Sequence, residues 1–258
     1  MTEDSVTTDT GSPRSALRTA MRPTADALPV ERRALRDGVH DSILELLLEG
    51  DVQPGQSLSI DGLARQLGVS PTPVREAMVQ LEHTGLVTRA ALKGYRVAPP
   101  LTRERMAELV DARTVLELAA VRGAVPLSDN AILHLKAAHA DHVVAASEVK
   151  EAQADTGEDG AAWAALRRYY DADWAFHRTF FEHCHNTYLL QLAESLSPQV
   201  HRMRQSAGHG VTDVDLAVAE HAAILRAAVT GDADATEETM RAHLGGVRQR
   251  SLAESEDA

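Results

Sequence analysis

The sequence has almost no cysteine, few aromatic residues and no long apolar run. Cys184 is its single thiol in 258 residues, which excludes an intramolecular disulfide and fits a reducing compartment. Phe, Trp and Tyr together make up 3%, so a core must come from Leu, Val and Ala, a composition that favours helices. No apolar stretch approaches the roughly 20 residues that cross a bilayer, and the start of the chain has no apolar signal segment. These absences predict a cytoplasmic protein without a membrane partner. Positive charge is scarce as well, with 26 Lys and Arg against 38 Asp and Glu and a net charge of −12. Hydrophobic residues reach 44%, enough for a packed core, which excludes disorder of the whole chain. Histidine is plentiful, at 12 residues.

An acidic chain argues against a nucleic-acid partner until the charge is divided by region. Residues 101–258 hold 15 basic and 25 acidic side chains, a net of −10, whereas residues 29–100 hold 8 and 9, a net of −1. The N-terminal part is near neutral and can still present a basic face.

Residues 1–28 are rich in Thr, Ser, Asp and Pro with no apolar period, and are read as a disordered tail. Leu35, Val39, Ile43, Leu46 and Leu47 recur at helical spacing up to Gly50. After the Pro54-Gly55 turn, Ile60–Leu67 reads as a short helix with Ser59 as N-cap and Gly68 beyond its end. A third helix opens at Ser70-Pro71-Thr72-Pro73, with either Ser70 or Thr72 as cap, and runs to Gly85. Leu86-Val87-Thr88 and Tyr95-Arg96-Val97 then alternate as a small hairpin around Leu92-Lys93-Gly94. Pro99-Pro100 is a break. Beyond it the pattern is helical, near 102–123, 128–150, 161–184, 187–207, 212–229 and 233–253, with an acidic loop at 153–160. The fold class is mainly α, with a winged helix-turn-helix at 29–100 followed by an all-α helical bundle of about six helices at 101–258.

The second and third helices, joined by Gly68-Val69-Ser70, have helix-turn-helix spacing, and such a pair lays its second helix in the major groove of double-stranded DNA. The start of that helix offers Ser70 and Thr72 hydroxyls to phosphate and, one turn in, the Arg75 guanidinium to guanine. Arg65, Arg89, Lys93 and Arg96 would flank the duplex, and Gly94 would let backbone approach a groove. A helix pair with a glycine turn also occurs in proteins that never meet DNA, and Arg75 beside Glu76 can be a weak surface ion pair. The cation-tipped hairpin directly after the third helix favours DNA.

Gln53-Pro54-Gly55, Leu63-Ala64-Arg65-Gln66-Leu67-Gly68-Val69-Ser70, Thr72-Pro73-Val74-Arg75-Glu76-Ala77, Gly85-Leu86-Val87 and Lys93-Gly94-Tyr95 resemble the winged helix of GntR-family transcription regulators over about residues 35–98. Many members carry Arg where this chain has Pro71, and that Arg commonly takes part in base reading, so the departure bears on the operator sequence.

In the C-terminal part, Asp173 and His177 stand at i,i+4, which places a carboxylate and an imidazole on one helix face. His221 and His243 lie in apolar helical settings. One carboxylate and three imidazoles suit a divalent transition ion, zinc or nickel foremost, while each histidine taken alone is more often a satisfied core or boundary residue than a ligand. His134, His139, His142, His183, His185, His201 and His209 are read as surface or packing residues, and Cys184 as a small buried hydrophobe.

Arg113-x-x-x-Glu117, Asp173-x-x-Phe176-His177, Asn186, Glu220-His221-x-x-Ile224, Ala227 and His243-Leu244 resemble the effector domain of the FadR subfamily, often called FCD, over roughly 102–250. Six helices suggest its smaller, VanR-like branch. The resemblance implies one metal per chain held by Asp173, His177, His221 and His243, near which a small carboxylate effector binds. It also places Arg113 toward the effector cavity, with an ion pair to Glu117 as the competing role. The expected function is a ligand-responsive repressor, not an enzyme, that binds a pseudo-palindromic operator as a homodimer. The alternative is a metal-dependent hydrolase built on the Asp/His site; it lacks an HExxH motif, a second metal cluster and a clear general base.

Overall fold

The computed structural model describes residues 29–48, 52–90, 94–154, 159–206 and 214–254. The tail at 1–28, Lys93 and the 155–158 portion of the acidic loop lie outside the described residues.

Three helices and a small sheet form the N-terminal half. Helix α1, Pro29–Leu48, turns Val39 and Ile43 inward. Helix α2, Ile60–Leu67, is capped by the Ser59 hydroxyl, which accepts from the Gly62 N–H, and ends at Gly68 in the left-handed conformation (φ 68°) that glycine adopts without a Cβ penalty. Helix α3, Pro71–His83, has Ser70 as its N-cap and Pro71 at its first turn, which settles the open choice of cap. Val74, Ala77, Met78 and Leu81 repeat at three- and four-residue steps and are fully buried against α1 and α2.

Strand β1 is Ser57–Leu58, β2 is Val87–Ala90 and β3 is Gly94–Val97, arranged in the order β1-β3-β2 and antiparallel throughout. The expected hairpin is β2–β3, with Val87 opposite Val97 and Arg89 opposite Tyr95. Strand β1 is an addition to the expected hairpin. Two residues are too short to show an alternation, and only Leu58 faces the core.

Six helices follow: α4 Arg103–Ala124, α5 Asp129–Ala154, α6 Asp159–His183, α7 Thr187–Ser206, α8 Val214–Thr230 and α9 Ala233–Glu254. Side chains cap the starts of four of them. Thr102 accepts from the Arg105 N–H, Ser128 from Ala131, Asn186 from Tyr188 and Leu189, and Asp232 from Ala235. Helix α5 packs on α6 and α8, α4 on α6, α7 and α9, and α8 on α9. Phe176, Phe180, Leu135, Ile224, Met240 and Leu244 fill the space between them. The polar cluster described next is embedded in this core.

Candidate DNA-reading face and metal centre

Burial of one face of α3 turns its other face outward. Ser70, Thr72, Arg75, Glu76 and Gln80 are exposed there. The Ser70 side chain makes no capping bond to the helix, so its hydroxyl is available at the helix start. Arg65 on α2 and Arg89 on β2 are exposed as well. Arg96, by contrast, is tied inward, its Nη1 donating to the Gly55 carbonyl at 2.7 Å. Gly94 has φ +79°, and a Cβ there would stand 3.3 Å from the Leu58 carbonyl oxygen. Glycine is thus already required by the chain's own turn and by the close approach of β1, before any groove is considered.

In the helical half, four helices bring polar side chains into the core. Asp173 and His177 come from α6, His221 from α8, His243 from α9 and His142 from α5, and all five are buried. The ligand atoms of His177, His221 and His243 lie within 4.8 Å of one another, as do those of His142, Asp173 and His221. His177 Nε2 faces His221 Nε2 at 3.1 Å. Asp173 Oδ2 stands 3.9 Å from His177 Nε2, and its Oδ1 stands 3.6 Å from His221 Nε2.

Carboxylates orient two of the rings from behind. His177 Nδ1 pairs with Glu117 Oε2 at 2.6 Å, and His243 Nδ1 with Glu220 Oε2 at 2.6 Å. Each carboxylate holds the proton on Nδ1 and leaves the Nε2 lone pair pointing inward, the arrangement that metal-binding histidines use. His243 Nε2 is buried with no hydrogen-bond partner among the described residues. Two imidazole nitrogens bound to one zinc at ~2.0–2.1 Å lie about 3 Å apart. The 3.1 Å approach of His177 and His221, together with the open Nε2 of His243, therefore fits a divalent ion.

Electrostatics agree with neutral, ligand-ready rings. Burial pushes His221 well below its ordinary range, opposed by the Asp173 carboxylate and aided by the neighbouring imidazoles. Burial likewise lowers His177, against the pull of Glu117. Burial raises the Glu117 carboxyl, but Arg113 and His177 outweigh it and bring it from 4.5 to about 2.

Glu117 also accepts from Arg113 Nε through its Oε1. The Arg113 guanidinium is buried, and its Nη1 and Nη2 have no hydrogen-bond partner among the described residues. Arg113 and Glu117 share a cavity wall with Leu116, Trp174, Phe181, Ala193, Leu196 and Val200. One carboxylate therefore stands between the Arg113 guanidinium and the histidine cluster.

Comparison with known proteins matches residues 35–97 to the family described as bacterial regulatory proteins, gntR family, and residues 108–246 to the FCD domain. The chain belongs to the GntR family of bacterial regulators and carries an FCD domain. An uncharacterized HTH-type transcriptional regulator of Streptomyces ambofaciens is 26% identical over 83% of this chain and 84% of its own length. The HTH-type transcriptional repressor GlaR of Escherichia coli is 28% identical over 77% of this chain and 87% of its own. The solved structure of E. coli McbR/YncC shares the fold, with a TM-score of 0.63 at 21% identity over 86% of this chain and 97% of that one. This GntR protein is a DNA-binding transcription regulator and not an enzyme, which removes the hydrolase alternative. Among the described residues no helix is long and apolar enough to cross a membrane.

Within the FCD domain the structure brings His177, His221 and His243 into one group and places Asp173 with His221 and His142 in a second. Of the two roles expected for His142, surface or packing, the structure shows a fully buried ring packed against Tyr169 and His221, beside Asp173. The signal was present in the sequence, since His142 follows Leu135 by seven residues and precedes Ala146 by four and Val149 by seven, on the buried stripe of α5. Glu220 is displaced from its sequence neighbour His221, as helix geometry requires, and serves His243 on α9 instead. Nothing in the sequence pairs those two residues.

Proposed function

We propose that this GntR regulator is a metal-dependent sensor of a small carboxylate that represses transcription as a homodimer on a pseudo-palindromic operator. In this reading residues 1–28 form a tail, 29–100 the DNA-binding domain and 101–258 the effector and dimerisation domain, placed in the FadR subfamily. On DNA, Arg75 reads base edges, while Arg65, Ser70, Thr72, Arg89, Lys93 and Gly94 line the duplex. Asp173, His177, His221 and His243 hold one divalent transition ion, zinc or nickel first, which supplies an electrophilic anchor for an effector oxygen.

The observation that carries the reading is the Arg113 guanidinium. It is 3% exposed, yet two of its nitrogens lack partners among the described residues, and the side chain borders a small apolar-surfaced cavity. Leaving buried charged donors unsatisfied is costly, and a carboxylate would accept from both, but the neighbouring cavity of about 10 Å³ has room for about one water, so its lining must move apart to admit one. Glu117 joins this cation to His177, so carboxylate binding and the histidine cluster share one hydrogen-bond network. A ligand that prefers one arrangement of that network shifts the balance between DNA-competent and incompetent forms.

The test is a gel shift on DNA from the chain's own promoter region, with a panel of small mono-, di- and tricarboxylates and elemental analysis alongside. At least one carboxylate should change operator affinity in wild type and lose its effect in Arg113→Ala. Equal responses in both proteins would remove Arg113 from the sensing site.

A further inference from the structure

We infer that Val79 is a specificity residue of the DNA-reading helix, placed to meet the C5-methyl group of a thymine in the major groove. The inference rests on the placement of α3 in that groove proposed above, and adds to it a contact of a different chemistry.

Helix α3 divides between core and surface. Val74, Ala77, Met78 and Leu81 are fully buried, whereas Thr72, Arg75, Glu76 and Val79 are exposed. The exposed four stand at i, i+3, i+4 and i+7. At about 100° per residue, Val79 falls within about 60° of each of the other three around the helix. A homeodomain recognition helix lying in the major groove reads bases from the same spacing.

Thr72, Arg75 and Glu76 are polar or charged, and Val79 is not. It is 41% exposed and stands outside the apolar core that α1, α2 and α3 share. Single exposed apolar residues are common on proteins, but this one stands in register with the reading residues. Among the base edges of the major groove the apolar group is the thymine methyl, and the rest are hydrogen-bond donors and acceptors. Valine set against a donor or acceptor would strip its water and return no hydrogen bond, which costs free energy. Set against the methyl, it removes apolar surface of both partners from water. In a helix valine already holds one χ1 rotamer about 90% of the time, so the contact costs little side-chain freedom. Val79 lies about 6 Å further along the helix axis than Arg75. That is about two base-pair steps of ~3.4 Å, so the thymine should lie about two pairs from the base that Arg75 reads.

The experiment uses the full chain and the operator footprinted in its own promoter region. Each thymine is replaced singly by deoxyuridine, which deletes the methyl group and keeps the pairing. Wild type should lose about fourfold in affinity at one thymine of each half-site, equivalent to ~0.8 kcal/mol for one buried methylene-sized group. Val79→Ala puts a better helix former at an exposed site, so the fold is retained. It should bind the unmodified operator more weakly and show little further loss with deoxyuridine at that same position. Equal losses in the two proteins at every position overturn the inference, and so does a wild type indifferent to every replacement. Arg75→Ala separates the two readings. If it loses its preference for operator over random DNA while either of those results holds, α3 reads bases without Val79. If it keeps that preference and wild type ignores deoxyuridine, the placement of α3 falls together with this inference.

Discussion

Glu117 commits both carboxylate oxygens inside the protein, Oε1 to Arg113 and Oε2 to His177, at 2% exposure. Removing one partner of a buried pair leaves the other charged and uncompensated, which typically costs about 3–5 kcal/mol. Glu117→Gln should destabilise the metal-free protein by that amount in urea unfolding, and Arg113→Met in the same chain should recover part of the loss. A loss within experimental error would mean that the pair is relaxed by solvent. Because the folded-state pKa of Glu117 is depressed from 4.5 to about 2, its stabilisation is complete above about pH 4.5 and drains away as pH falls toward 2. The melting temperature of wild type should therefore fall more steeply than that of Glu117→Gln across this window. On the DNA-reading side, Arg75 is exposed one turn into α3. Arg75→Ala should weaken operator binding by ~1–3 kcal/mol, with a much smaller effect on random DNA. Equal losses on both would assign Arg75 to phosphate.

At the scale of elements, α7 touches both functions. Ala193, Leu196 and Val200 line the cavity that holds Arg113, while Gln199, next to Pro198, donates its side-chain amide to the Thr84 carbonyl at the end of α3. One helix thus connects the cavity beside Arg113 with α3. Gln199→Ala should leave basal operator affinity within a few-fold of wild type while reducing the effector-dependent change, whose usual range is about 1–3 kcal/mol of coupling. Gel shifts with and without the active carboxylate measure this, and an unaltered response would exclude the contact. Most of these elements were legible in the sequence. The stripes of α1 and α3, the Ser59 cap and Gly68 follow from helical period and end chemistry, which act locally. The six C-terminal helices were expected within a few residues of their observed ends, as at 161–184 against Asp159–His183. Strand β1 was not legible, because two residues carry no period and form a strand only once β3 lies beside them. The site divides along the same line. Asp173 and His177 are neighbours on one helix, whereas the Glu220–His243 pair and the open nitrogens of Arg113 exist only after distant helices pack.

For the whole molecule, charge and exposed apolar surface are the features that a DNA duplex and a second copy would meet. The acidic excess lies in the helical half, so DNA is repelled from it and the near-neutral winged helix is left to approach the duplex. The two halves touch through an Arg167–Glu45 ion pair as well as the Gln199–Thr84 contact. A single winged helix makes too few contacts for a specific site, and a two-fold dimer doubles them on a symmetric operator. Helices α4 and α7 pack side by side and carry three of the most exposed large apolar residues, Val115 at 69%, Tyr188 at 75% and Leu192 at 53%. Tyr188 and Leu192 stand four residues apart and share one face of α7. Apolar groups held in water on adjacent helices are the surface that a second copy would cover. The full chain should sediment as a dimer, and Tyr188→Asp with Leu192→Asp should shift it toward monomer while its helical circular dichroism is retained. Because binding both half-sites requires linked reading heads, the same variant should bind a full operator barely more tightly than a half-site. A variant that remains dimeric would move the interface off α7, and a monomeric wild type that still protects a symmetric operator would show that dimerisation forms on the DNA itself.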